Sequence, residues 1–212
     1  MLKTILMATG ALVVASPAMA ADFAGPRAEV RLGWDRTTLA VEYDDGDTVV
    51  DGKDHDDGLG VGAEIGYDVA VGSSAVVGAY AGAEWATTKQ CSEVYGEDEA
   101  CLKLGRNLTL GVRVGAAVTP QALIYIKGGY SNGQLKVTYE DFNDSDFDTS
   151  DKANRGGFHL GLGGEFNVGQ TGYVKAEIVH TNYKDYDYSD DFVDAKLEAS
   201  RTQILAGFGL RF

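Results

Sequence analysis

Apolar and polar residues alternate over eight separate stretches of this chain, and that period of two constrains its fold more than any other feature. In Arg27–Asp35, the residues Ala28, Val30, Leu32 and Trp34 fall on one face, and charges or glycine fall on the other. The pattern returns in Gly58–Asp68, Val77–Ala86, Asn107–Val118, Ile124–Tyr130, Phe158–Asn167, Val174–Tyr183 and Gln203–Phe212. Side chains of an extended strand point alternately to opposite faces, so each stretch reads as a two-faced strand. A helix would need apolar residues three and four apart, and no stretch sustains that stripe. Each segment is close to the roughly 9–11 residues of a tilted membrane strand. The spacing predicts an all-β chain, an eight-stranded antiparallel up-and-down transmembrane β-barrel.

Alternation alone does not say which face is wet, since a soluble barrel has the same period. Three features place the apolar face outside. The polar face mixes glycine with ionic groups: Gly58, Gly60, Gly62 and Glu64; Gly161, Gly163 and Glu165; Gly207, Gly209 and Arg211. A narrow eight-stranded interior holds little more than its own side chains, so small residues suit it better than they suit an outer surface. Aromatic residues assigned to the apolar face gather at the strand ends: Tyr67, Phe166, Tyr173 and Phe212 near one rim, Trp34, Trp85, Tyr130 and Phe158 near the other. Two such belts match two water–lipid interfaces. Finally, Phe208, Leu210 and the last residue, Phe212, share that face.

Connections alternate in length. Val69–Ser74, Thr119–Gln121 and Gly169–Gly172 are short and rich in Gly, Ser or Pro. Thr37–Asp57, Thr88–Leu102, Glu140–Asn154 and Lys184–Ala199 are long and polar, which is the layout of an outer-membrane barrel. Eight strands so connected put both termini on the short-turn, periplasmic side and the loops outside the cell. Leu39, Val41 and Tyr43, like Leu135, Val137 and Tyr139, shift parity from the strand before, which predicts bulged hairpins above the membrane.

The amino end is consistent with export. Met1-Leu2-Lys3, an apolar run to Val14 and small residues at Ala18 and Ala20 form a secretory leader over 1–20, with cleavage expected between Ala20 and Ala21. The barrel is then 21–212. The mature chain has 17 basic against 32 acidic residues, a formal charge of −15, which argues against nucleic acid as a partner. In an oxidising compartment Cys91 and Cys101, ten residues apart, are expected to close one loop as a disulfide, worth up to roughly 3 kcal/mol in the loop-entropy model.

The segments Gly111–Gly115, Leu123–Ser131 and Tyr173–Glu177 resemble the opacity-protein-like outer membrane protein beta-barrel family, a porin-like proteobacterial group related to the barrel of outer membrane protein A. The resemblance covers essentially the whole mature chain. Gly207-Phe208-Gly209-Leu210-Arg211-Phe212 resembles the carboxy-terminal signal read by the barrel-assembly machinery. Gly207, Phe208, Leu210 and Phe212 carry it, and Leu205 stands where the pattern calls for a polar residue.

Parity directs Glu29, Arg31, Glu64, Glu84, Arg113, Lys127, Glu165, Lys175, Glu177, Arg201 and Arg211 inward. Five acids face six bases, and buried charges are tolerated only when paired. The plain reading is an ion-pair plug; the sharper one is a gated path for ions or solutes, and eight strands favour the plug. The excess acid lies in the loops: Asp44, Asp45, Asp47, Asp51, Asp54, Asp56 and Asp57, then Asp141–Asp151, then Asp185–Asp194. No segment keeps the spacing of a calcium loop, so these residues are read as solvated and sharing divalent cations with lipopolysaccharide. Tyr95, Phe142, Phe147, Tyr186, Tyr188 and Phe192 pack among the loops or meet an external partner. Val179-His180-Thr181-Asn182 resembles the His-x-Ser of lipid A deacylases, but Asn182 cannot act as the nucleophile, and His55 and His159 lack evident triad partners.

The expectation is a non-enzymatic outer-membrane protein with a structural or surface-interaction role, without cofactor or metal. A small porin-like channel, a lipid A-modifying enzyme and a soluble ligand-binding barrel are the rival classes. Deleting Phe212 is expected to slow insertion and increase periplasmic degradation while leaving leader cleavage unchanged. Equal outer-membrane levels of the truncated and intact chains, compared by membrane fractionation, would contradict the role given to the last residue.

Overall fold

The computed structural model describes residues 19–44, 49–87, 89–94, 98–140, 149–184, 186–190 and 193–212, with side chains over 19–40, 52–87, 105–134, 154–184 and 198–212. Eight long strands form the wall: β1 (Gly25–Asp44), β2 (Val49–Val71), β3 (Ala75–Ala86), β5 (Asp98–Ala117), β6 (Ala122–Glu140), β7 (Thr149–Val168), β8 (Gly172–Tyr183) and β10 (Val193–Arg211). Two short strands, β4 (Lys89–Val94) and β9 (Tyr186–Asp190), extend the hairpins against β5 and β10. Every neighbouring pair is antiparallel, and β1 pairs with β10 from Arg27↔Arg211 upward, so the sheet closes on itself. Among the described residues no helix is long and apolar enough to cross a membrane.

The registers fix the barrel's dimensions. Partner to partner from Leu59 on β2, the row runs through Trp34, Ile204, Ile178, Leu162, Ile126, Val114 and Val77 and returns to β2 at Val69, ten residues displaced. A shear of ten over eight strands tilts them by about 40°, inside the usual range for a closed barrel. The whole row is apolar. On β7 the apolar face runs from Phe158 to Val168, which at about 3.3 Å per residue and that tilt rises about 25 Å, the height of an outer-membrane apolar band.

Burial is inverted relative to a water-soluble domain. Val30, Leu32, Leu59, Leu110 and Leu160 are each more than half exposed on the outer face, whereas Arg113 and Arg201 are among the largest fully buried side chains. Tight turns close one rim, and Gly72 (φ 70°) and Gly169 (φ 71°) supply the left-handed residues of two of them. At the other rim the strands run on as long hairpins.

Those hairpins correct one expectation. β1 and β2 stay in continuous register from Gly25↔Asp68 to Asp44↔Val49, and β6 and β7 do so from Ala122↔Phe166 to Tyr139↔Thr149, so neither hairpin carries the predicted bulge. The one register shift recorded in these pairings is on β5, between Leu104 and Asn107. A hairpin that runs on beyond an apolar band has no lipid face to keep, so its pattern can swap parity without a backbone irregularity. Most of the expected leader, the acidic runs over 44–51, 141–151 and 185–194, and the Cys91 and Cys101 side chains lie outside the described residues or side chains.

The inner face follows a cross-strand rule. Tyr80 pairs with Gly111, Tyr125 with Gly163 and Tyr173 with Gly209, and each tyrosine ring lies over its partner glycine. A Cβ on Gly163 would stand 2.5 Å from the Tyr125 ring. Glycine here is a requirement of close approach. We expect Gly163→Ala to displace Tyr125 and cost about 1–3 kcal/mol, as overpacking does. Gly164→Ala on the outer face, where the nearest heavy atom is 3.9 Å away, serves as the near-neutral control. Denaturant midpoints of the two folded variants check this, and equal midpoints would refute it.

Candidate functional site: the charged lumen

Every residue assigned inward by parity is found inside: Glu29, Arg31, Glu64, Glu84, Arg113, Lys127, Glu165, Lys175, Glu177, Arg201 and Arg211 are all buried. Three further charges join them, Arg27, Asp35 and Asp68. These three share the parity of Glu29, Arg31 and Glu64, so the signal was present. They stand at the ends of the alternating segments, where a rim residue is easily given to water. The additions turn five acids and six bases into seven and seven.

The fourteen charges form one path of alternating sign. At the turn side Arg211 reaches Glu165 (2.7 Å), and Arg113 joins Glu165 (3.1 Å) to Asp68, gripping the latter with Nε (2.9 Å) and Nη2 (2.6 Å). Arg27 bridges Asp68 (3.2 Å) to Glu29 (3.1 Å). Glu29 pairs with Lys175, which reaches Glu177 (2.9 Å), and Lys127 links Glu177 (3.2 Å) to Glu64 (2.7 Å). Arg31 joins Glu64 (2.7 Å) to Glu84 (2.6 Å), and Arg201 connects Glu84 (3.3 Å) to Asp35. Arginine predominates because its planar fork can serve two carboxylates at once.

Neutral groups add further hydrogen bonds to several of these carboxylates. Tyr173 donates to Glu29 and Tyr125 to Glu177, both at 2.7 Å, while Gln203 donates to Glu84 (3.2 Å) and Asp35 (3.3 Å). Tyr173 therefore corrects the sequence reading: it is fully buried in the lumen, on the same parity as Lys175, and is not part of the outer belt. The other belt residues of that rim, Tyr67, Phe166 and Phe212, are exposed, as are Trp85, Tyr130 and Phe158 opposite. Trp34 carries the Arg36 guanidinium 5.0 Å over its ring. Just above that belt Arg36 grips Asp57 (2.7 and 2.9 Å), and those hydrogen bonds hold the Asp57 carboxyl below the usual carboxylate range.

The histidines separate. His159 is buried in the lumen between Tyr80 (2.5 Å) and Ser131 (2.8 Å), partners on two other strands that linear spacing could not reveal. His180 is exposed on the outer face, held by Thr202 (2.9 Å) and Asn182 (3.1 Å). Among the described residues no three His, Cys, Asp or Glu side chains gather as a metal site. Of the assembly-signal residues, Phe208, Leu210 and Phe212 are exposed on the apolar face, and Gly207 faces inward, packed against Lys175. Leu205, the departure from that pattern, is buried in the lumen.

A closed eight-stranded barrel with an apolar exterior, two aromatic girdles and a charged interior defines a transmembrane barrel of the bacterial outer membrane. The chain belongs to the outer membrane protein beta-barrel domain family, whose model matches residues 6–212. No curated protein sequence matches it. Among solved structures it is similar to the outer membrane protein OprG of Pseudomonas aeruginosa (14% identity, 89% of this chain and 97% of that one, TM-score 0.48). It is also similar to Neisserial surface protein A (8% identity, 85% and 97%, TM-score 0.46) and to the outer membrane protease OmpT of Escherichia coli (12% identity, 89% and 97%, TM-score 0.45).

Breaking one link of the path leaves a buried charge short of its partner. Arg113→Ala deprives Asp68 and Glu165 together and is expected to cost roughly 3–5 kcal/mol. Arg36→Ala, which breaks an exposed pair, should barely move the midpoint. Urea unfolding in detergent checks the contrast; similar small shifts for both would show that the lumen is wet and its charges screened.

Proposed function

We propose that this protein is a non-enzymatic outer-membrane barrel with a structural or surface-interaction role, its lumen closed by its own ion pairs. The observation that carries this reading is the unbroken alternating path of seven acids and seven bases, all buried, from Arg211 to Asp35. A water-filled channel would leave such groups hydrated and separately mobile. Here each is held by two or more partners or by a bidentate grip, and moving one disturbs several.

Among the described residues the buried lumen charges balance, seven against seven, and the acid excess lies outside that set. Setting the fourteen aside leaves 10 basic against 25 acidic residues in the mature chain. That surplus is concentrated in the long hairpins, which we place outside the cell, with both termini periplasmic after loss of residues 1–20. There the carboxylates would share divalent cations with lipopolysaccharide and meet any external partner. The carboxy-terminal residues would meet the barrel-assembly machinery. A disulfide is supported by the backbone: Cys91 and Cys101 are direct partners in the β4–β5 ladder, and such pairs have Cα atoms about 4.5–5.5 Å apart, within the reach of a disulfide.

Planar-bilayer recording on refolded protein is the deciding experiment. A plugged lumen gives small, infrequent or no conductance steps, and Arg113→Ala raises ion leak less than it lowers stability. Large steady currents from the wild type, with Arg113→Ala altering only ion selectivity, would instead establish a porin.

A further inference from the structure

The lumen is charged or polar along most of its length, but at the turn side it carries an inward apolar collar. Val76 on β3, Ala117 on β5, and Leu123 and Tyr125 on β6 are buried there together around Phe23, which is itself fully buried and has Ala20 beside it in the same cluster. Phe23 belongs to no barrel strand. It lies in a single 3-10 turn, Ala21–Phe23, closed by bonds from Phe23 N–H to the Ala20 carbonyl (3.2 Å) and from Ala24 N–H to the Ala21 carbonyl (3.2 Å).

From this arrangement we infer that the segment Ala21–Ala24 is a cork that the chain supplies to its own turn-side mouth. Gly25, at φ 115°, lets the chain leave β1 and fold back, and a Cβ there would stand 2.5 Å from the Phe212 carbonyl oxygen. The Arg211 guanidinium lies 5.6 Å over the Phe23 ring, and its Nη1 donates to the Asp22 carbonyl (3.3 Å). Asn167 Nδ2 donates to the same oxygen at 3.4 Å. Phe212 N–H donates to the Pro26 carbonyl (2.9 Å), so the start and end of the barrel are clasped beside the seal. Cleavage after Ala20 takes away the carbonyl that Phe23 N–H meets and the Ala20 methyl, whereas the contacts of Asp22 and Phe23 with Arg211, Asn167 and the collar stay with the mature chain. Arg211 is shared between the cork and the first ion pairs, so withdrawal of Phe23 exposes Arg211, Glu165 and Asp68 to water from the turn side. The lumen is thereby a pit closed at that end, and passage of any solute through it requires the cork to leave. The sealing is independent of whether the charged tiers themselves conduct.

The test uses Val76→Cys, a near-isosteric change in the collar, in a Cys91→Ser/Cys101→Ser background. A small cationic methanethiosulfonate reports access, and unheated gel migration confirms a folded barrel. With Phe23 present, labelling is expected to be slower than in the unfolded chain by about a hundredfold or more. Phe23→Ala should restore most of the rate, and Asn167→Ala should give an intermediate value. Rapid labelling of folded protein with Phe23 intact overturns the inference, a result that needs no folded Phe23→Ala. Equal slow rates with Phe23 and with alanine overturn it as well. Bilayer recordings on the same preparations report separately on the ion-pair layers: conductance in Phe23→Ala with none in the wild type supports the cork and refutes the plug.

Discussion

Alternation of charge along a single path through the lumen is the constraint on which the rest of this barrel depends. A carboxylate or guanidinium removed from water loses several kcal/mol of solvation even after relaxation, and only close opposite charges with good hydrogen-bond geometry restore it. Between Arg211 and Asp35 no two like charges follow one another. The members come from all eight wall strands, so the path ties the wall together across its bore as well as around its circumference.

That path dictates the small residues around it. Eight strands at this shear enclose a bore too narrow for a full set of long side chains, so long groups on one strand must lie over glycine on the next. The Tyr125–Gly163 and Tyr173–Gly209 pairs do both tasks at once: the ring covers the glycine, and the hydroxyl donates to Glu177 or Glu29. At the turn side, where the ion pairs stop, an apolar collar takes over and Phe23 fills it. Charge, aromatic cover and cork are thus three solutions to one problem, the filling of a narrow membrane-spanning bore.

The outer face needs far less specification. Lipid tails do not discriminate among Val, Leu and Ile, so an apolar face of sufficient height bounded by Trp and Tyr is enough. Outer-face residues such as Leu160 and Ile204 are therefore interchangeable in a way that Glu64, with Arg27, Arg31 and Lys127 around it, is not.

Strand number, the identity of the apolar face and most of the lumen charges were legible in the sequence, because a period of two assigns each residue to a face by parity alone. Parity applied to the ends of each segment would also have found Arg27, Asp35 and Asp68 and placed Tyr173 inside. Parity is silent on distance along the axis and around the barrel. Which acid meets which base depends on the shear, set by the sum of all eight registers, so the pairing of Arg113 with Asp68, 45 positions away, was beyond any local pattern. The same holds for His159 between Tyr80 and Ser131. It holds most plainly for Phe23, a lone aromatic in a short non-strand segment, whose place in the mouth exists only once β3, β5 and β6 have brought Val76, Ala117 and Leu123 together. The sequence by itself determined which face each residue takes, since that follows from the geometry of one strand. Only the tertiary structure decided who meets whom inside, since that follows from closing the sheet.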